Sequence, residues 1–234
     1  MLPRFEIVRR LRPVSLVRPG SGRPVERGVH ALPMPAPYAV VVMRLADDSP
    51  ASLAFHLGEH RLAGHLDGPQ AELRVTQGDT TTSHRSRRHG RCAVRPSQLA
   101  LTLTGSHVTL LLEEDGTWVA RARLDVTDLV DVHDAALLAA LRVECSSAAT
   151  AGAFGQLGLR DIRLVTSRDG TPVRSSGQLL FSATSAGPGF FDTAHTSVWS
   201  LDPGSPGPRA PQRPVLPAPR PTGRVRRPRD PPRP

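Results

Sequence analysis

The chain contains no lysine and no asparagine, and isoleucine occurs only at Ile7 and Ile162. All 30 basic side chains are therefore arginine. That bias points to a GC-rich coding sequence, so the net charge of +9 is not by itself a nucleic-acid footprint. Cysteine is nearly as scarce. Cys92 and Cys145 cannot build a disulfide framework, and neither lies in a CxxC or Cys/His spacing that would hold zinc. Two buried free thiols are expected, with one disulfide as the alternative, and no metal or cofactor is expected. No run approaches the roughly 18 apolar residues of a membrane span. The early arginines Arg4, Arg9, Arg10 and Arg12 lead to Pro13, Arg18 and Pro19 instead of an apolar core, which excludes an intact signal peptide. The sequence reads as soluble, without membrane contact, and cytoplasmic as encoded.

What is present is unevenly distributed. The 234 residues, 38% hydrophobic, allow one large or two small domains with a real core. Pro203–Pro234 holds 12 of the 24 prolines and eight arginines against the single acid Asp230, a net +7. Residues 1–202 carry only +2. Proline at that density removes ladder donors and blocks both helix and sheet, so 203–234 is expected to be a disordered tail. The change of composition after Asp202 is abrupt enough to suggest a shift of reading frame.

Residues 1–37 are expected to form an irregular segment, and strand signals begin at Tyr38. Tyr38–Leu45, Ala51–Leu57 and Ala71–Thr76 are short apolar runs bounded by Asp, Gly, Pro and Ser. Leu99, Leu101 and Leu103 alternate with Ala100, Thr102 and Thr104, and Val108, Leu110 and Leu112 continue the pattern. Asp115-Gly116 is a two-residue hairpin signal, because the primed turns need positive φ. The return strand sets Trp118, Ala120, Ala122 and Leu124 against Val119, Arg121 and Arg123, which predicts an antiparallel sheet with one solvated face. Asp134 is placed to cap one short helix over 135–141. Residues 38–145 are thus expected to form an antiparallel β-sandwich. Residues 146–158, rich in small side chains, read as a linker. Three further strands follow in 159–202, a set unable to bury both of its faces alone.

The segment Gly158–Pro203, containing GLRDIRLV and then DGTPVRSSGQLLFSATSAGPGFFDTAHTSVWSLDP, resembles the first blade of the five-bladed β-propeller glycosidases of the family 43 and family 32 type. Residues 38–143 resemble a laminin-G or concanavalin-like jelly roll. The resemblance implies an all-β chain made of a sandwich, an incomplete propeller blade and a tail. It assigns Asp161 as the catalytic carboxylate, nucleophile or base, although Ile162 stands where those blades carry proline. Arg160 and Asp161 read from the residues alone are a turn ion pair. The loop 186–195 offers Phe190, Asp192 and His195, with Arg160, as sugar-binding groups, while Phe191 reads as core.

Elsewhere, His56, His60 and His65 read as solvated surface. The cluster 84–91 (HRSRRHGR) has no aromatic partner and reads as a mobile exposed loop open to phosphate contact. The function expected is carbohydrate binding by a glycosidase-like chain without turnover, since the second carboxylate would come from later blades. The alternative is a non-enzymatic sandwich whose basic Pro/Arg-rich arm binds acidic partners or nucleic acid, the latter weakly signalled.

Overall fold

The computed structural model describes residues 14–32, 38–189, 193–202, 204 and 208–209. The first strands are β1 (Ser15–Val17), β2 (Arg23–Val25) and β3 (Gly28–Ala31). After β4 (Ala39–Arg44) comes a run of hairpins: β5 (Ala51–Leu57), β6 (His60–Asp67), β7 (Gln70–Gln77) and β8 (Thr80–His84). A second run is β9 (Gln98–Thr104), β10 (His107–Glu114) and β11 (Thr117–Asp125). Helix α1 (Ala135–Ala139) leads into β12 (Arg142–Cys145) and β13 (Ala149–Gln156). The chain continues with β14 (Leu159–Leu164), β15 (Arg174–Ser175), β16 (Gln178–Ser185), β17 (His195–Leu201) and β18 (Pro208–Arg209).

Local chemistry explains the hairpins. Gly58, Gly68 and Gly78 hold φ of +61°, +51° and +54° at ten-residue intervals, which turns β5 to β8 into a meander. Asp115 and Gly116, at +48° and +72°, make the expected left-handed turn between β10 and β11. The Asp134 side chain accepts from the backbone N–H of Ala136 at 2.9 Å and of Leu137 at 3.1 Å, capping α1 as expected.

Two sheets form an antiparallel jelly-roll sandwich. One runs β1-β13-β4-β9-β10-β11, with β2 beside β13, and the other runs β3-β12-β5-β6-β7-β8. Leu53, Phe55, Leu62 and Leu73 of the six-stranded sheet meet Met43, Leu99, Leu101, Leu103 and Leu110 of the seven-stranded sheet in a dry core. The alternating leucines of 99–112 therefore do face inward. Their sheet is nevertheless not half-solvated as expected. Ala100, Thr102, Thr109 and Leu111 on its other face are also buried, and Ala100 and Leu111 form a second cluster with Leu16, Val40 and Phe154.

Several boundaries differ from the expected ones. Residues 15–31 supply three paired strands in place of an irregular segment: β1 and β2 lie on β13, and β3 lies on β12. The supposed linker 146–158 contains β13, a buried strand between β1 and β4. Its glycines answer to packing. A Cβ on Gly155 would sit 2.2 Å from the Ser15 carbonyl oxygen, and one on Gly152 would sit 2.9 Å from that of Ser21. His60–Asp67, between the strands expected at 51–57 and 71–76, is a further strand, β6, and a Cβ on its Gly64 would meet Leu110 at 2.6 Å.

The third sheet runs β14-β16-β17-β18, with β15 on β16. Phe181, Ala183, Ser185 and Trp199 on one face are buried. On that face the His195 ring lies against Tyr38 and Phe154 of the sandwich, with centroid separations of 4.6 and 6.3 Å. Reciprocal backbone hydrogen bonds of 2.8 Å, Leu157 N to Ala186 O and Ala186 N to Gly158 O, tie it to the end of β13. The sandwich thus supplies the cover that the sequence leaves unassigned. Most of 203–234 lies outside the described residues, while Pro208–Arg209 pairs with Ser200–Leu201. Among the described residues no helix is long and apolar enough to cross a membrane. Cys92 and Cys145 are both free.

Candidate binding face of the six-stranded sheet

The residues singled out in the third sheet do not assemble. Asp161 sits at φ +50° in a bulge that breaks the β14–β16 register between Arg160 and Arg163, and it is exposed on an edge strand. Arg160 stands opposite Thr184, which stands opposite Thr196. His195 lies in the neighbouring row, with Ser185 and Leu159. Adjacent rows point to opposite faces, so Arg160 faces solvent while His195 faces the sandwich. Burial holds the His195 imidazole well below its usual range, to about 4, with the Arg18 charge acting in the same direction. Its Nδ1 is buried and finds no hydrogen-bond partner among the described residues. A neutral core ring is the result. Phe190, Phe191 and Asp192 lie outside the described residues.

A denser set of polar groups occupies the outer face of the six-stranded sheet. The register puts Glu144, Ala54, Ala63, Arg74 and Ser83 in one row across β12, β5, β6, β7 and β8. The row on one side contains Arg142, His56, Arg61, Thr76 and Thr81, and the row on the other contains Ser52, His65 and Glu72. Successive residues of a strand alternate between faces, so all of these point away from the core. Ala54 and Ala63 are short enough for longer neighbours to lie over them.

Those neighbours lock one another. Arg61 donates through Nε to Glu144 Oε2 at 2.8 Å and through Nη2 to Oε1 at 3.0 Å, a bidentate fork that fixes the carboxylate plane. His56 Nε2 is 2.7 Å from the same Oε2. Two strands away, Arg74 Nε donates to Glu72 Oε1 at 2.6 Å. The hydrogen bonds from Arg61 dominate the Glu144 acidity and, with those from His56, hold its carboxyl down to about 2 against the opposing pull of burial. Glu144 is therefore a permanent acceptor at ordinary pH. His65 lies between the two pairs. Burial lowers its pKa first, and the charges of Arg74 and Arg61 lower it further, so the ring is neutral. Its Nε2 has no partner among the described residues.

These groups keep part of their surface in solvent. Side-chain exposure is 24% for His56, 28% for Arg61, 30% for Glu144 and 43% for Arg74, enough for a ligand to reach atoms already held in place. His60 points inward and is buried, and His56 and His65 are half-buried, which corrects the solvated-surface reading of all three. The face escapes notice in the sequence because His56 and Glu144 are 88 residues apart. The available signal was the period of two in Arg61-x-Ala63-x-His65 and Glu72-x-Arg74. Among the described residues no group of three His, Cys, Asp or Glu side chains is placed to hold a metal ion.

No family model and no curated protein matches the chain. Among solved structures, galectin LEC-6 from Caenorhabditis elegans is similar over 60% of this chain and 93% of that chain, at 11% sequence identity and a TM-score of 0.30.

Proposed function

We propose that the protein is a non-catalytic carbohydrate-binding β-sandwich that holds a neutral oligosaccharide on the outer face of the six-stranded sheet. The observation that carries this reading is the Arg61–Glu144–His56 cluster, whose partly exposed donors and acceptors are fixed on rigid strands. A pair of vicinal sugar hydroxyls offers two donors and two acceptors about 2.8 Å apart, a spacing that matches the planar fork of a guanidinium or carboxylate. Groups already oriented by each other lose little entropy when a ligand arrives. Arg74 and Glu72 extend the same chemistry across the sheet, so more than one ring can be engaged. Binding and not hydrolysis is proposed, because Asp161 stands on an exposed bulge and Arg160 and His195 point to opposite faces.

The test is retention and calorimetry against a panel of neutral oligosaccharides, with Arg61→Ala and Glu144→Gln beside the parent chain. Affinity should survive high salt and should fall in both variants by at least about tenfold, the effect of losing one charge-assisted hydrogen bond. Binding that is unchanged in both variants, or absent for every neutral glycan, would sink this reading.

A further inference from the structure

A cleft of about 620 Å³ opens between the turn after β8 and the far half of β11, with Pro188 at its side. Its polar lining consists of Ser83, Ser86 and the basic groups His84, Arg85, His89, Arg121 and Arg123, and it includes no carboxylate. Arg121 is already neutralised: its Nε donates to Glu114 Oε1 at 2.7 Å and its Nη2 reaches both carboxylate oxygens. Among the described residues, Arg85 has only the neutral Gln70 Oε1 as acceptor, at 2.6 Å. Arg123 makes no ion pair among the described residues. Among the described residues, two guanidinium charges therefore line one cleft without a counter-charge there, an arrangement that an anion relieves.

The turn that carries Arg85, Ser86 and His89 is built and held by hydrogen bonds, where a mobile loop is expected for 84–91. Gly90 N donates to Ser86 O at 2.9 Å and His89 N to Ser86 Oγ at 3.0 Å. A Cβ on Gly90 would lie 2.5 Å from the Ser86 carbonyl oxygen, so the turn needs glycine at this point. Outside contacts pin its C-terminal end: Arg121 Nη1 donates to His89 O at 3.3 Å and Ala71 N to Gly90 O at 3.0 Å. Ordered donors around a carboxylate-free opening are what a tetrahedral oxyanion needs, because its oxygens accept from several directions at once.

We propose that this cleft is an oxyanion site that takes a phosphate or sulfate ester, with Arg85 and Arg123 as the charged donors. The two esters share the chemistry that the cleft reads, and the experiment separates them. The full chain is titrated calorimetrically with glucose 6-phosphate and, separately, with glucose 6-sulfate, for the parent and for Arg85→Gln, Arg123→Gln and the charge-matched control Arg168→Gln. Either probe binding with about tenfold weaker affinity in both cleft variants, and little change in the control, is the expected result. The tighter probe identifies the ester. Equal losses in all three variants would mean diffuse attraction to an arginine-rich chain, and no heat with either probe would mean no site; both overturn the proposal. Arg85 and Arg123 are exposed, so melting should not move; if it falls in one variant, the other decides. Binding of neutral oligosaccharide should be the same in both cleft variants, so this proposal and the sugar-binding one fail independently.

Discussion

Arg121 and Glu114 have side-chain exposures of 10% and 7%, lower than any other ion pair among the described residues. A pair this buried is a poor source of net stability, because desolvation of both charges offsets their attraction, yet removing one partner strands the other. Arg121→Ala should therefore cost about 3–5 kcal/mol in urea unfolding, and it should also free His89 O and loosen the turn at 86–90. Replacing both members by apolar side chains of similar volume, Arg121→Met with Glu114→Leu, should recover most of that loss. A double variant as unstable as the single one would show that the pair itself holds β10 to β11. By contrast, Glu72–Arg74 is solvated enough that its removal should cost under about 1 kcal/mol while still depriving a ligand of two orienting groups.

At the scale of elements, β13 shows how packing selects composition. The Ser15 carbonyl oxygen occupies the space a side chain on Gly155 would need, so Gly155→Val should force β1 off the sheet edge and destabilise the fold by about 2 kcal/mol or more, read as a lower melting temperature. Wild-type melting in that variant would mean that β1 is dispensable. The same feature explains what could be read in advance. β9, β10 and β11 were legible, because leucines alternate with small polar residues and Asp115-Gly116 marks their turn. β13 was not, since alanine and glycine demanded by a close backbone approach look like a linker. β1 to β3 are three or four residues long and find their partners only in β12 and β13, so no local pattern announces them. Likewise His56, Arg61, His65, Glu72 and Arg74 were visible as residues, but their common face depends on a register set by the turns at Gly58 and Gly68.

For the whole molecule, the buried groups predict how stability responds to acid. The His195 imidazole titrates near 4 in the fold and near its ordinary 6.5 when unfolded. Between these values the unfolded chain binds the extra proton, so stability should fall as pH drops from about 6.5 to 4, by on the order of 3 kcal/mol. Glu144, depressed to about 2, adds stability that is present above about 4.5 and lost as pH falls toward 2. Denaturant midpoints across this range should therefore decline in two stages, and His195→Gln should shrink only the upper one, to which His65, also lowered by burial, adds a part. An unaltered upper stage in that variant would place the responsible group elsewhere. The topology adds a constraint in time. β1, β2 and β3 pair with β13 and β12, which leave the ribosome more than a hundred residues later. At about 5–20 residues per second that delay is on the order of ten seconds. During synthesis these three strands must wait as unpaired edges, so the nascent chain is most vulnerable to capture or aggregation before residue 156 emerges, and the sandwich closes only when β13 slots between β1 and β4.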